Sequence, residues 1–392
     1  MPWKVSNVSE VRFAACHAVR SLHRPVSDVA RQFHVSRKTL HKWLRLFDEQ
    51  ATPTAADLEN RSRRPRHCPR QTRQAIEQRV LHVRDRYNWG PRKIHHFLLR
   101  EAQRQNLQPP MPAIRTIANI LQRHHRVVPA AQTPELQRFE RSAANELWQI
   151  DHKGPVEVER RKVMPLSVLD DHSRYCLAFA PCLNLTMACV WDVLWALFEQ
   201  VGLPEAILAD NGFRAHGGFT TDRCPGLGWF DARLIRLGIE PNHGRAYHPQ
   251  TQGKVERFHG SAVREFINFN ARRDCLRHFS QDCQRYRELY NTLRPHEALG
   301  DEPPVSRWRP SRRARPSLLP EASYPADAIL RKVSHSGDIR FQGYRILCGR
   351  GIVGQAVRIE PREHEIAVFY CHKQIRSLPC LSRNQRQPDR ML

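Results

Sequence analysis

The chain has 392 residues, of which 63 are Lys or Arg and 39 are Asp or Glu, so its formal net charge is +24 at pH 7. A charge of this size indicates a polyanionic partner such as a nucleic acid, although it says nothing about the fold. Hydrophobic residues make up 40% of the chain. We therefore expect most of the chain to fold, into roughly two to four domains, and not to remain an unstructured basic polypeptide.

The cysteine pattern and the hydropathy narrow the class of protein further. The 11 cysteines are scattered without Cys-x-x-Cys spacing, which disfavours a structural zinc site and favours reduced thiols. The N-terminus lacks the apolar segment of a secretion signal. The most apolar stretch, residues 187–198, is too short to span a bilayer and contains Asp192. We expect an intracellular protein with no membrane partner.

In residues 1–50, apolar periodicity predicts three short helices, with Ser27 capping the second and Ser36 the third. A tight turn at His34-Val35 followed by a basic helix is typical of a helix-turn-helix module, whose second helix enters the major groove of DNA. The alternative is a small helical bundle with a charged surface. The side chains predicted to contact DNA from the third helix are Arg37, Lys38, His41, Lys42 and Arg45.

Residues 51–72 are rich in Pro and Arg and are predicted to be a basic linker, although such a run could also follow phosphates in the minor groove. Residues 73–126 repeat the helical pattern and are interpreted as a second helix-turn-helix module, with Arg115 and Thr116 facing DNA. Residues 127–145 form a second linker. Two modules in tandem suit a long, bipartite DNA site.

From residue 146 the pattern changes. Residues 146–300 read as three strands, a helix, a strand, a helix, a strand and two helices, an order typical of an α/β domain with a mixed sheet. Residues 301–326 are a linker rich in Pro and Arg. In residues 327–380, five short strands suggest a small β-barrel, and residues 381–392 are predicted to be a disordered tail.

Three carboxylates in the α/β domain are candidates for one metal site. Asp151 lies inside the first strand, where an unpaired carboxylate is costly. Asp210 follows a short strand, at the edge of the sheet where α/β proteins bind ligands. Glu256 lies on a helix entered through a Pro-rich turn. If the three converge, their charges need compensation, which a pair of Mg²⁺ ions would supply together with the chemistry of phosphoryl displacement.

Four motifs occur in order: Trp148-Gln-Ile-Asp151, Leu169-Asp-Asp-His-Ser-Arg174, Asp210-Asn-Gly212 and Tyr247-His-Pro-Gln-Thr-Gln-Gly-Lys-Val-Glu-Arg-Phe-His259. Through them, residues 145–310 resemble the integrase core of bacterial insertion-sequence transposases, relatives of retroviral integrases with a ribonuclease-H-like fold. The helical modules and the C-terminal strands resemble members of this group more loosely. The resemblance implies transfer of an element's 3′ ends into target DNA, with Mg²⁺ or Mn²⁺, two ions per site, held by Asp151, Asp210 and Glu256.

One departure from the family concerns spacing. Residues 211–255, 45 in number, separate Asp210 from Glu256, a longer gap than the family usually has. The excess fits an inserted loop around residues 220–228, and Asp222 and Asp231 are rival carboxylates in this region.

The neighbours of the triad have predicted roles too. Lys254 and Arg257 flank Glu256 and are predicted to contact phosphates. Asp170 and Asp171 are interpreted as hairpin residues, and His259 as polar lining.

These patterns together predict a cytoplasmic, nucleoid-associated transposase that binds double-stranded DNA, both element ends and target, as a homo-oligomer. One alternative is a DNA-binding repressor or scaffold with a decayed core. Another is a ribonuclease acting on RNA–DNA hybrids, which the helix-turn-helix pattern disfavours because A-form grooves do not admit a reading helix.

Overall fold

The computed structural model describes residues 7–60, 72–106, 111–127, 140–184, 186–209, 226–243 and 253–379. Asp210, Asp222, the turn before Glu256, residues 61–71 and 128–139 of the two N-terminal linkers, and the predicted tail 381–392 lie outside these described residues. The chain divides into two compact units, residues 1–71 and residues 72–392.

The first unit contains the three predicted helices: α1 (Val8–Arg20), α2 (Val26–Gln32) and α3 (Arg37–Asp48). The Ser36 hydroxyl accepts a hydrogen bond from the Thr39 backbone N–H at 3.0 Å and so caps α3, as predicted. Ser27 does not cap α2, because that helix already begins at Val26, with Pro25 at the N-cap position. The helices and a 3₁₀ turn enclose one small core: Ala15, Cys16, Val29, Leu40, Leu44, Phe47 and Leu58.

Three more helices open the second unit: α4 (Gln74–Tyr87), α5 (Pro91–Arg104) and α6 (Ile114–Arg123). Pro91 occupies the first turn of α5, where its missing N–H costs nothing. Asn88 ends α4 in the left-handed conformation that Asn tolerates. The buried side chains between these helices are Val80, Val83, Trp89, Ile94, Leu98, Ile117, Ile120 and Leu121.

The central domain begins with β1 (Trp148–His152), β2 (Val156–Val158), β3 (Arg161–Asp170) and β4 (Cys176–Cys182). It continues with α7 (Met187–Val201), β5 (Ala206–Ala209), α8 (Trp229–Arg236), β6 (Glu240–His243), α9 (Gly253–Ala262) and α10 (Leu276–Thr292). This is the predicted order, with β2 as an addition. The helix carrying Glu256 ends at Ala262 and is followed by a π-helical turn at Val263–Ile267.

The sheet is mixed, as predicted. Its strand order is β2-β3-β1-β5-β6, and β4 also pairs with β3. β1 runs antiparallel to β3 and parallel to β5, and β6 is parallel to β5. The two parallel pairs therefore bring the carboxyl ends of β1, β5 and β6 to the same edge.

The two faces of the sheet are covered by different helices. Because strand residues alternate between faces, Trp148 and Ile150 of β1 both pack toward α7. The opposite face packs against α9 and α10, through Leu169, Phe179, Val255 and Phe258 among others. Gln149 and Asp151 alternate with Trp148 and Ile150, so Asp151 belongs to the face that α9 covers.

Residues 301–326, predicted to be a linker, lie along the central domain as a packed strap. The Arg313 guanidinium donates to the carbonyls of Pro204, Leu237 and Gly238, at 2.5–2.9 Å. Trp308 stacks on Tyr175 with 4.2 Å between ring centroids. Pro and Arg content therefore marks an extended segment here, held by its own side chains.

The C-terminal strands are β7 (Ile329–Lys332), β8 (Asp338–Phe341), β9 (Tyr344–Leu347), β10 (Ala356–Pro361), β11 (Glu365–Tyr370) and β12 (Lys373–Pro379). The five predicted strands are confirmed as β8–β12. They form a four-stranded sheet, β12-β11-β10-β7, and a two-stranded sheet, β8-β9. Within residues 327–379 no strand pairing joins the two sheets, so the predicted barrel is not closed.

The open arrangement has a physical reason. The backbone between β9 and β10 pairs with the central domain instead of with another strand, since the Leu227 N–H donates to the Cys348 carbonyl at 2.8 Å and the Gly351 N–H to the Leu227 carbonyl at 3.0 Å. A Cβ at Gly349 would meet Leu227 backbone atoms at 2.2 Å, so this approach requires glycine.

Across the residues that the structure describes, we find no helix long and apolar enough to cross a membrane.

Candidate active site at the sheet edge

Asp151 lies near the end of β1, opposite Ser167 of β3 in the antiparallel register. Its side chain is 20% exposed, so the carboxylate combines a buried strand with access to solvent. The Nδ1 atom of His259, on α9, lies 3.7 Å from Asp151 Oδ2. His259 Nε2 is 2.9 Å from Ser167 Oγ. One imidazole thus contacts both strands and places α9 directly over Asp151.

Glu256 lies one helical turn before His259 on α9, so the two side chains share one side of the helix. Val255 and Phe258 are buried under the helix, whereas Glu256 is exposed. The structure therefore brings the Glu256 segment and Asp151 to the same part of the sheet edge. Burial, with smaller effects of Lys153 and His152, lowers the pKa of His259 to about 4, so this imidazole is neutral at pH 7 and adds no competing cation.

The start of α9 is tied to the turn between β3 and β4. The Lys254 ammonium lies 2.5 Å from Asp171 Oδ1, and the Asp171 carboxylate also accepts hydrogen bonds from Gln149 and from the Arg141 backbone N–H. Asp171 is fully buried. The Lys254 side chain is 14% exposed and bound within the protein, and its predicted phosphate contact stays a prediction.

Asp170 has the turn role expected for it. Its carboxylate accepts hydrogen bonds from the Ser173 backbone and hydroxyl, at 2.8 and 2.6 Å, and from the Asn145 N–H at 2.7 Å. These bonds close the β3–β4 hairpin. Asp170 therefore holds the turn itself, whereas Asp171 ties the turn to β1 and α9.

Asp210 lies outside the described residues, so the structure does not place its side chain. It does place Ala209, the residue before it, which pairs with Ile150 in the parallel register of β1 and β5. Ile150 in turn precedes Asp151. Of the two rival carboxylates, Asp222 is also outside the described residues.

The other rival, Asp231, is described. It is buried on α8, and its two carboxylate oxygens each lie 3.0 Å from His243 Nε2. Asp231 is thus held in a pair with the last described residue of β6.

The residues predicted to contact DNA from the helical regions are mostly accessible. On α3, all five are exposed: Arg37, Lys38, His41, Lys42 and Arg45. On α6, Arg115 is exposed and Thr116 is half-buried, and on α9 Arg257 is exposed.

A second group of potential metal ligands occurs at the start of α10, where Asp274, Cys275 and His278 approach one another. Its geometry is explained without a metal. Cys275 Sγ accepts from the His278 N–H as a helix cap, and the Asp274 carboxylate lies 2.6 Å from His278 Nδ1.

Reasoning from the sequence missed the positioning role of Ser167, Asp171 and His259. Period-two alternation on β3 was a usable signal for Ser167, since it is a small polar residue between buried apolar neighbours. The pairing of Lys254 with Asp171 had no such signal, because it joins segments 83 residues apart.

Comparison with known proteins identifies a family that matches the central domain. The integrase core domain family matches residues 141–249, and a second description of the integrase core domain matches residues 237–304. The transposase for transposon Tn552 of Staphylococcus aureus is 27% identical over 275 residues, which cover 60% of this chain and 54% of that protein. The chain therefore spans about half the length of this curated relative.

Among solved structures, a simian T-cell lymphotropic virus intasome chain is 15% identical, covers 68% of this chain and 89% of its own length, and has a TM-score of 0.36. The HTLV-2 integrase catalytic core domain in complex with magnesium is 14% identical, covers 42% and 97%, and scores 0.31. The BIV integrase catalytic core domain is 18% identical, covers 41% and 92%, and scores 0.30. We draw nothing further from such low scores. The family matches confirm the resemblance drawn from the motifs: residues 141–304 match the integrase core domain family, and the chain is similar to a transposase.

Proposed function

We propose that the chain is a divalent-metal-dependent polynucleotidyl transferase, a transposase that cleaves the 3′ ends of a mobile DNA element and joins them to target DNA. The observation that carries this proposal is the contact of His259 with both Asp151 and Ser167. It brings the helix of Glu256 over the strand of Asp151, although the two acids are far apart in the sequence.

We further propose that Asp210 completes the triad. Asp210 follows Ala209 in the chain, and Asp151 follows Ile150, the strand partner of Ala209. The Cα atom of each acid is therefore one peptide step, about 3.8 Å, from that of one member of this pair. Ile207 and Ala209 pack toward α7. Strand alternation predicts the opposite face for the residue after Ala209, which is the face of Asp151.

The residues present fit a pair of Mg²⁺ or Mn²⁺ ions. Asp151 and Glu256 offer accessible carboxylate oxygens, the donors that these ions prefer, and the His259 imidazole beside them is neutral at pH 7. Asp151, Asp210 and Glu256 would hold the ions. When bound, such ions supply activation of an attacking oxygen and stabilisation of a leaving oxygen.

The chain's own groups orient this site. His259 and Ser167 restrain Asp151 from one side, while the Lys254–Asp171 pair holds the first turn of α9 and with it Glu256. Arg257, exposed next to Glu256, would contact a DNA phosphate. Water first hydrolyses a phosphodiester at the element's end, which leaves a 3′-hydroxyl on the element and a 5′-phosphate on the flanking strand. The 3′-hydroxyl then attacks a target phosphodiester and displaces a target 3′-hydroxyl, so this second step exchanges one phosphodiester for another. It therefore needs no external energy source.

We also propose that the two helical regions are helix-turn-helix modules that bind the element's ends, and that the protein acts as a homo-oligomer because two ends are handled together. The exposed basic side chains of α3 and the net charge of +24 support a DNA partner. A recognition helix enters the major groove of duplex DNA, whereas the A-form groove of an RNA–DNA hybrid does not admit one. The test below therefore compares the two substrates.

The test is metal-dependent cleavage and joining of a labelled duplex that carries the terminal repeats flanking the chain's own gene. We expect Asp151→Asn, Asp210→Asn and Glu256→Gln each to abolish both steps and to leave end binding intact. Asp231→Asn, the matched control at a rival carboxylate, should retain activity. Strand transfer by Asp151→Asn would contradict the proposal. Inactive wild-type protein that still binds ends would favour a repressor, and cleavage of hybrid but not duplex would favour a ribonuclease.

A further inference from the structure

A buried cluster of charges joins the second helical region, residues 72–127, to the polypeptide that follows Glu256. At its centre, Glu265 is 7% exposed and Arg294 is 5% exposed. The Arg294 guanidinium donates to the two Glu265 carboxylate oxygens at 2.7 and 2.9 Å. From the helical region, Lys93 Nζ donates to the same carboxylate at 2.6 Å and Trp89 Nε1 at 3.2 Å.

The cluster is stable because each buried charge has partners. An unpaired carboxylate at this depth would be strongly destabilising, and burial alone would raise the pKa of Glu265. Arg294 and Lys93 instead hold that pKa below its ordinary value. Four donors around one carboxylate also fix its orientation, so the groups on both sides of the junction have little freedom to move.

The cluster lies at the C-terminal end of α9, the helix that carries Glu256. Glu265 belongs to the π-helical turn Val263–Ile267 that continues α9, and such turns frequently occur at functional sites. Arg294 Nη2 also donates to Ser261 Oγ at 2.9 Å, near the end of α9. Asn88 Nδ2, at the end of α4, donates to the Arg264 carbonyl at 2.8 Å. The C-terminal end of the Glu256 helix is thus held by the helical region itself.

A second group of contacts, made by α5, restrains the helical region against rotation about the Glu265 cluster. Arg92, on α5, donates to the Asp301 carboxylate at 2.8–3.1 Å, and Asp301 is 5% exposed. Arg100, further along α5, donates to the carbonyls of Asp301 and Leu293 at 2.7 and 3.1 Å. Leu289 and Leu293 of the central domain also pack against the apolar core of the helical region.

We propose that Glu265 is a positioning residue, which sets the distance between DNA bound by the second helical region and the Glu256 helix and so selects the phosphodiester that is cleaved. This inference rests on the proposed function. A rigid connection is needed for such selection, since a displacement of about 1 Å at a reacting centre costs on the order of 100-fold in rate. Lys93 and Trp89 transmit the position of the helical region, and Arg294 anchors the same carboxylate to the central domain.

The test is Lys93→Ala in the full chain, with cleavage of the labelled terminal-repeat duplex mapped at single-nucleotide resolution. Wild-type protein should cut at one phosphodiester. Lys93→Ala leaves Glu265 paired with Arg294, so it should fold, bind the ends within about twofold of wild type, and cut at several adjacent positions, with total cleavage reduced by on the order of 10- to 100-fold. Cutting by Lys93→Ala at the same single position and at the wild-type rate would overturn the proposal.

Two further variants serve as controls. Lys93→Arg keeps a cation beside Glu265 and should restore the single cleavage position. Arg79→Ala removes the exposed ion pair between Arg79 and Glu101 within the same helical region, and should leave the position unchanged. If Lys93→Ala fails to fold, Trp89→Phe replaces it, because it removes the Nε1 donor to Glu265 and keeps an aromatic ring.

A second readout separates this proposal from the proposed function. Hydrogen exchange of residues 253–267 without DNA should be slower in wild type and Lys93→Arg than in Lys93→Ala. If wild-type protein cleaves no DNA but this exchange pattern holds, the proposed function fails and the rigid connection stands. Equal exchange in all three proteins would show that Lys93 does not restrain the Glu256 helix.

Discussion

The two helical regions have nearly the same sequence pattern but different surroundings in the structure. In residues 7–60, α1–α3 and a 3₁₀ turn form a compact unit with its own core, and the basic side chains of α3 face outward. In residues 72–127, α4–α6 share their apolar core with Leu289 and Leu293 of the central domain. Their charged residues Arg92 and Lys93 are used for internal ion pairs.

The difference shows that amphipathic helices with basic faces do not by themselves define an independent DNA-binding module. A basic residue on such a helix has two uses, contact with phosphates or compensation of a buried acid. The sequence pattern cannot distinguish them, because the acids Glu265 and Asp301 lie more than 170 residues away from their partners on α5.

The largest expected effects come from truncating one buried side chain in the apolar core of each helical region. Leu40→Ala and Ile117→Ala each remove a fully buried side chain and should each lower the free energy of unfolding by about 3 kcal/mol. Leu40→Ala should destabilise only the first unit, whereas Ile117→Ala should destabilise the second unit as a whole. Calorimetry with hydrogen exchange resolves the two, and the comparison fails if Ile117→Ala unfolds residues 72–127 while the central domain stays protected.

An intermediate effect concerns DNA affinity. Replacing Arg37, Lys42 and Arg45 of α3 with Ala should weaken binding to a duplex by about 30-fold at moderate salt and reduce the slope of log affinity against log salt by about 2–3. Replacing Arg92 of α5 should leave the slope unchanged, because its guanidinium is bound to Asp301. Equal slopes for the α3 variant and wild type would remove α3 from the DNA interface.

The smallest effect is a dependence of stability on pH. Burial, together with the positive charge of Arg294, lowers the pKa of Lys93 to about 8 despite the opposing effect of Glu265. Between about pH 8 and 10.5 the unfolded chain therefore binds more protons at Lys93 than the folded chain does, so the stability of wild type should rise with pH relative to Lys93→Met. We expect the difference in free energy of unfolding between the two proteins to change steadily across this window and to level off outside it, as measured by denaturant unfolding. A pH-independent difference would contradict the burial of this ammonium.

Much of the central domain could be predicted from the sequence. Strand alternation, apolar runs and the order of elements predicted the mixed sheet. The four motifs predicted Asp151 and Glu256 as site residues, and the structure places His259, one turn after Glu256, next to Asp151. The turn role of Asp170 followed from its neighbours in the chain. These features depend on local patterns or on motifs short enough to read directly.

What the sequence did not reveal depends on distant contacts. The strap at residues 301–326 has the composition of a linker, yet Arg313 holds it to three carbonyls of the central domain. The barrel does not close because the loop around Gly349 pairs with Leu227. Lys254 has the spacing of a phosphate contact but binds Asp171. In each case the partner lies far away in the sequence, and its identity follows only from the tertiary structure.

The most direct test of the central claim is a change of metal preference at Glu256. A thiolate is a poor ligand for Mg²⁺ and a better one for softer divalent ions such as Mn²⁺. If Glu256 shares a metal pair with Asp151 and Asp210, Glu256→Cys should fail to cleave a terminal-repeat duplex in Mg²⁺ and regain cleavage in Mn²⁺, while Glu256→Ala stays inactive in both. Wild-type cleavage by Glu256→Ala in Mg²⁺ would contradict the account.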